Sequence, residues 1–138
     1  MKTVLICLML ALGKIIVAQE TETSTITIEV ENITSDQGHL ILGIYTKDNF
    51  LKTKPEYSQQ VKIKDGKATL VFNDVPTGIY GISCFHDAND NQQMDFQPNG
   101  MPKEDYGLSN NPMLYGPPTW GDAKFKLEEG EQKISIRL

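Results

Sequence analysis

Residues 60–72 read Q-V-K-I-K-D-G-K-A-T-L-V-F and decide the fold class of this chain. Apolar and polar side chains alternate on either side of Asp65-Gly66, the pattern of strands that bury one face and expose the other. An Asp-Gly pair supplies the positive φ angles that a two-residue turn between strands requires. The stretch therefore predicts a β-hairpin with strands at 60–64 and 67–72.

The same period of two recurs on both sides of this hairpin, and helical periodicity is nearly absent. Since each strand has one apolar face, the faces are buried only if two sheets pack against each other. The sequence predicts an all-β fold, a seven-stranded antiparallel β-sandwich, and a small barrel is the alternative. The five further strands are expected at residues 25–31, 38–46, 79–85, 123–127 and 133–138.

Length and charge restrict the class of protein. The 138 residues are enough for one domain and too few for a multidomain enzyme. The 18 acidic and 13 basic residues give a formal charge of -5, which disfavours a protein that binds nucleic acid by neutralising phosphates. Composition alone leaves open whether the domain binds, scaffolds or catalyses.

Residues 1–18 have the features of a signal peptide. Lys2 gives a positive start, residues 4–12 form an apolar run too short to span a membrane, and Ala18 is a small residue before Gln19. We expect cleavage after Ala18 and export of residues 19–138 as a single domain, without a transmembrane segment, to the periplasm or the extracellular medium. A buried N-terminal strand is the alternative.

The predicted cleavage decides which of the two cysteines remains in the exported chain. Cys7 lies in the signal peptide, so the exported chain keeps Cys84 alone and has no disulfide. Cys84 stands in the alternating run at 79–85, which predicts a buried strand residue and not a nucleophile.

A long polar connection, residues 86–119, separates the fifth and sixth predicted strands. Loops longer than about fifteen residues are unusual in compact domains and are often functional. Oxygen-bearing side chains occupy relative positions 1, 3, 5 and 9, and a main-chain oxygen position 7, which is the ligand spacing of a calcium loop. A later glutamate is placed to fold back as a further carboxylate. We predict a Ca²⁺ site with the ligands Asp87, Asn89, Asn91, Gln93, Asp95 and Glu104.

Two residues depart from the helix-loop-helix calcium motif. Gln92 stands where glycine makes the sharp turn, and Pro98 stands where a bidentate glutamate would lie. An oxygen-only ligand set with two distant histidines, His39 and His86, disfavours a transition metal. The alternative interpretation is a solvated turn without an ion, because Asp and Asn bend loops on their own.

Three linked motifs carry a family resemblance: H-D-x-N-x-N-x-x-x-D at 86–95, G-x-P-x-E-x-Y-G-x-S-N-N at 100–111, and G-P-P-x-W-x-x-A-x-F at 116–125. The chain resembles a family of small exported bacterial proteins classed as a domain of unknown function. The resemblance implies a transthyretin-like or immunoglobulin-like sandwich and no transferable activity. The loop is also similar to calcium loops in B-type repeats of Gram-positive adhesins, in which Asn91 would replace an Asp and Gln92 a Gly.

Three functions are left open by the sequence. The leading one is a non-enzymatic exported protein whose Ca²⁺-stabilised loop presents a binding surface to an unknown protein or glycan partner. The second is a periplasmic enzyme that uses Glu104 or Asp105 with His86 in a loop-lined pocket. The third is a purely structural accessory module of the envelope. We assign no catalytic residue, because Ser109 and the other serines lack an ordered nucleophile motif.

Overall fold

A computed structural model describes residues 18–138, so Cys7 and the predicted signal peptide up to residue 17 lie outside the described residues. No helix in the described part of the chain is long and apolar enough to cross a membrane. Eight strands and one short helix follow in the order β1 (Thr23–Glu31), β2 (His39–Tyr45), β3 (Tyr57–Val61), β4 (Ala68–Pro76), β5 (Gly78–Asp87), β6 (Tyr106–Leu108), α1 (Trp120–Ala123), β7 (Phe125–Leu127) and β8 (Gly130–Arg137).

The fold is nearly all-β and consists of two sheets, not a closed barrel. β1 is the central strand of a three-stranded sheet with the order β4-β1-β8. The other sheet has the order β3-β2-β5-β6, and β7 pairs with the beginning of β5. This places the end of β5, where the long connection starts, at the opposite end of the sheet from β7.

The two sheets share one hydrophobic core. Alternate residues of β1 and β2 have no exposed surface and belong to the same cluster, as the alternation in the sequence predicts. Burial of each such side chain contributes about 1.5–3 kcal/mol relative to its exposure, so these strands account for much of the stability. The residues concerned are Ile26, Ile28 and Val30 in β1 and Leu40, Leu42 and Ile44 in β2.

Residues 18–138 contain eight strands where the sequence predicted seven, and one pair is parallel where all were expected to be antiparallel. β6 is only three residues long, too short to show a period of two, and it pairs with β5. β8 runs parallel to β1. The period of two records which face of a strand is buried, but it carries no information on the direction of the neighbouring strand.

The Asp65-Gly66 turn forms as predicted, but its two arms belong to different sheets. Asp65 and Gly66 have φ angles of 53° and 71°, and Lys64 and Lys67 exchange backbone hydrogen bonds of 3.0 and 3.1 Å. However, β3 pairs with β2, while β4 pairs with β1. The predicted hairpin is therefore limited to one bridge, and the turn carries the chain from one sheet to the other.

Cys84 lies in β5 with its side chain in the core. It is fully buried and free, and burial raises the pKa of its thiol to about 12. Since the thiolate is the reactive form, a thiol in this position is inert. The prediction of a buried strand residue is confirmed by this placement.

Asp36 fixes the turn between the sheets from the outside. Its two carboxylate oxygens accept hydrogen bonds of 2.9 Å from the backbone N–H groups of Asp65 and Gly66. These bonds, that of Gly66 first, hold the pKa of Asp36 below its ordinary value. The carboxylate thus stabilises a backbone conformation that Asp65 adopts only at some cost.

We expect Asp36→Ala to lower the urea midpoint of unfolding near neutral pH. Because the folded-state pKa is lowered, the contribution of Asp36 is present above the pKa of the unfolded chain and is lost as the pH falls through the folded pKa. The difference between wild type and variant should therefore vanish in acid, as followed by Trp120 fluorescence. Asp48→Ala, which removes another exposed acid, is the control. An equal difference at both pH values would contradict this account.

Candidate functional site

The connection between β5 and β6 turns back on itself as a small hairpin. Phe96 and Pro102 form an isolated antiparallel bridge, and the N–H of Lys103 donates to the carbonyl of Asp95 over 2.8 Å. This pairing brings Glu104 next to Asp95, whose N–H donates to Glu104 Oε2 over 3.3 Å. Two carboxylates nine residues apart in sequence are thereby placed side by side.

Asp87 begins the loop and has no exposed surface. Its carboxylate accepts hydrogen bonds from the N–H groups of Asn91, over 3.3 Å, and Gln92, over 2.9 Å. Gln92 has a φ angle of 64°, so it adopts the left-handed conformation that glycine usually supplies at this position of a calcium loop. The sharp turn is therefore made without the glycine.

Asp95 is the centre of the side-chain contacts in the loop. Asn89 Nδ2 donates to one carboxylate oxygen over 2.8 Å, and Asn91 Nδ2 lies 2.7 and 2.9 Å from the two oxygens. These hydrogen bonds, that of Asn89 first, lower the pKa of Asp95. Both amides present nitrogen to the carboxylate, and rotation of the amide plane by about 180° would present oxygen instead.

Glu104 has one unsatisfied carboxylate oxygen. Its Oε1 is buried and makes no hydrogen bond to any residue of the described chain. Burial raises the pKa of Glu104, and the nearby charges of Asp95 and Asp87 raise it further. A buried acceptor without a donor costs about 1–3 kcal/mol, so this oxygen is the least favourable feature of the loop.

The predicted ligands belong to one hydrogen-bond network, but not all of them contact Asp95 directly. Asn89, Asn91 and Glu104 each make a hydrogen bond with Asp95, whereas Asp87 joins through the loop backbone. Gln93 has an exposed side chain. Its N–H donates to Asn91 Oδ1 over 3.0 Å. Within residues 18–138, no group of three or more His, Cys, Asp or Glu side chains is positioned to hold a metal ion.

The N–H of His86 donates to the carbonyl of Asp105 over 2.9 Å, so these two candidate catalytic residues are neighbours, but their side chains make separate contacts. His86 is buried and its Nε2 lies 2.6 Å from the carbonyl oxygen of Gln37, while Asp105 Oδ2 accepts from Thr34. Ser109 is buried as well, donating to the Ala123 carbonyl and accepting from the N–H of Ile82. Ile82 and His86 are four residues apart on β5, or roughly 13 Å. Ser109 is therefore committed to structural hydrogen bonds and is remote from His86.

The Ser109-Asn110-Asn111 motif attaches the second half of the connection to the fold. Asn110 Nδ2 donates to the carbonyls of Asp122 and Lys124 over 3.1 and 2.9 Å. Asn111 bonds to the β8 backbone at Ser135 and Arg137. Both asparagines have positive φ angles, a conformation that Asn tolerates better than most residues. The motif is thus a structural clamp and not a reactive centre.

One contact that holds the loop was not predicted from the sequence. His39 Nδ1 lies 2.6 Å from Asp90 Oδ1, which links the beginning of β2 to the tip of the turn after Asp87. The two residues are 51 positions apart. His39 stands in no recognisable motif and Asp90 occupies an unspecified position of the motif at 86–95, so only the pairing of β2 with β5 reveals the contact.

Comparison with known proteins identifies a family. A family model described as an uncharacterized protein conserved in bacteria (DUF2141) matches residues 28–135, a range that contains the entire connection between β5 and β6. No curated protein and no solved structure gives a significant match.

Glu104→Gln tests the cost of the buried carboxylate. Because the folded-state pKa of Glu104 is raised, its ionised form reduces stability as the pH rises through that value. In EDTA at neutral pH, the neutral glutamine should raise the melting temperature by about 1–3 °C, measured by circular dichroism. Glu129→Gln, an exposed glutamate between β7 and β8, should leave it unchanged. A lower melting temperature for Glu104→Gln would show that the carboxylate is a favourable acceptor in the folded chain.

Proposed function

The chain belongs to the DUF2141 family of uncharacterized bacterial proteins, and on this premise we propose that it is an exported, non-enzymatic binding protein. Its Asp/Asn loop, defined as residues 87–95 together with Glu104, binds Ca²⁺ and presents a surface to a protein or glycan partner. The bound ion orders the loop, and the two sheets serve as its scaffold.

One observation carries the calcium proposal, namely the environment of Glu104. Its Oε1 is buried without a hydrogen-bond donor, next to the carboxylate of Asp95 and within the field of Asp87. Like charges that share a small space are stabilised by a divalent cation, and hard oxygen ligands favour Ca²⁺. A cation among these groups would satisfy Oε1 and offset the repulsion that raises the pKa of Glu104.

The local backbone supports the same interpretation. The positive φ angle of Gln92 makes the tight turn that lets alternate side chains point towards a common centre. Asn89 and Asn91 already contact Asp95, so their amide oxygens need only a rotation about the terminal torsion to join the ligand set. The main-chain oxygen of Gln93 supplies the remaining predicted ligand.

We propose further that the two sheets form a transthyretin-like or immunoglobulin-like β-sandwich. The common core of β1, β2, β4 and β5 supports this assignment. Export to the periplasm or the medium rests on the pattern of residues 1–18.

Thermal unfolding with and without Ca²⁺ tests the ion site. A ligand that binds only the folded chain adds about 2.7 kcal/mol at about 100 times its dissociation constant, or roughly 10 °C for a domain of this size. We expect that rise in wild type, and we expect Asp95→Asn and Glu104→Gln to lose most of it. Mg²⁺ should act more weakly, since it demands a smaller octahedral site.

Glu129→Gln is the matched control for the ion site, because it removes one negative charge at the opposite end of β5, roughly 30 Å away. It should keep the full Ca²⁺-dependent rise. Hydrogen exchange should show protection gained on Ca²⁺ addition at residues 87–105. The proposal is wrong if wild type shows no rise, or if Asp95→Asn rises as much as wild type.

A further inference from the structure

A cleft of about 530 Å³ lies on the outer face of the five-stranded sheet, away from the shared core. Its floor is formed by outward-facing residues of β2, β3, β5 and β6. Its walls come from three loop segments, with Pro55 before β3, Phe96 in the connection after β5, and Pro117 before α1. The volume is within the range of small-molecule sites, about 300–1,000 Å³.

The floor of the cleft is a furrow of small residues across three strands. Gly43 of β2 is aligned with Ser58 of β3 on one side and with Ser83 of β5 on the other. Larger side chains border the furrow, with Tyr45 two residues along β2 and Phe85 two residues along β5. At Gly43 the furrow is already covered, because an added Cβ would lie 2.9 Å from the Tyr45 ring and 3.0 Å from Pro55. The remaining cleft is bordered by aromatic side chains, which suits a planar ring.

The lining of the cleft selects against charge. Fourteen residues line it and none is charged, although 22% of the chain is charged. The side-chain hydroxyl groups of the lining belong to Tyr45, Ser58, Ser83 and Tyr106, and none of the four makes a side-chain hydrogen bond within residues 18–138. An ionised ligand would lose its hydration without gaining a partner, so a neutral ligand with one or two hydrogen-bonding groups fits.

The walls are rich in proline, and they leave apolar surface uncovered. Four of the seven prolines in the chain line the cleft, and their fixed φ angles reduce the entropy lost on binding. Phe96 lies at the edge of the cleft and is 58% exposed, and a bound molecule would reduce that exposure. The lining of fourteen residues is smaller than the roughly 20–30 residues that each side of a stable protein interface contributes.

We propose that this cleft binds an uncharged aromatic small molecule. The cleft is a different site from the Asp/Asn loop, and binding of the ring does not require Ca²⁺. The small molecule contacts the aromatic borders with its ring faces and the serine hydroxyls with its polar group.

N-phenyl-1-naphthylamine is a suitable probe, because it is neutral and aromatic and fluoresces strongly only in apolar surroundings. Wild type should give a saturable signal with one site per chain. 1-Anilinonaphthalene-8-sulfonate has the same rings and an added negative charge, so it should bind at least about tenfold more weakly. Equal binding of the two dyes, or an unsaturable signal, would show non-specific apolar surface and overturn the proposal.

Ser83→Phe fills the furrow from its β5 side and should weaken binding of the neutral dye by about tenfold or more. Thr27→Phe adds the same ring to the outer face of the other sheet and should leave binding unchanged. If Ser83→Phe does not fold, Ser58→Phe on the edge strand β3 replaces it. Unchanged binding to the folded furrow variant would overturn the assignment.

Titrations in EDTA and in Ca²⁺ keep the two proposals separate. Dye binding that persists in a chain without a Ca²⁺-dependent rise in melting temperature supports the cleft and refutes the ion site alone. A Ca²⁺-dependent rise without saturable dye binding supports the ion site and refutes the cleft alone.

Discussion

A buried carboxylate at the end of β5 governs the long connection. Asp87 has no exposed surface, and a buried carboxylate costs several kcal/mol unless donors reach it. The N–H groups of Asn91 and Gln92 reach it only because the chain curls immediately, with Gln92 in the left-handed conformation. Gly38 packs against the same point, and a Cβ there would lie 2.0 Å from the carbonyl oxygen of Asp87. The beginning of the loop is therefore fixed by hydrogen bonds and close packing.

The rest of the connection is ordered from its other end and from its middle. The Ser109-Asn110-Asn111 clamp bonds to the backbone around α1 and β8, and the bridge between Phe96 and Pro102 closes the intervening segment. A connection of this length without such attachments would have little reason to keep one conformation. Because polar side chains supply many of these bonds, the Asp, Asn and Ser residues of the motifs are explained largely by structure. The exception is Glu104, whose Oε1 no donor satisfies.

The sequence predicted the strands that bury one face and expose the other. The alternation at residues 25–31 and 38–46 located β1 and β2 closely, because the period of two records burial directly. The sheet membership of the two arms of the Asp65-Gly66 turn was not predictable, since it depends on pairings with β1 and β2 that are distant in sequence. Asn89 and Asn91 contact Asp95 because their spacing is local, whereas Glu104 reaches it through the bridge between Phe96 and Pro102. The assignment of these side chains as Ca²⁺ ligands stays a prediction. The cleft was missed, because its lining comes from segments far apart in the chain.

The Asp/Asn loop and the cleft share a stretch of backbone. Met94 and Phe96 flank Asp95 and line the cleft, while the Asp95 side chain contacts Asn89 and Asn91 on the other side. An ion held by Asp95 and a ring held against Phe96 would each restrict these same three residues. The second ligand to bind would therefore lose less conformational entropy than the first. Coupling between two binding equilibria is reciprocal. If the bound ion raises the affinity of the cleft for the ring by some factor, the bound ring must raise the affinity of the loop for the ion by the same factor.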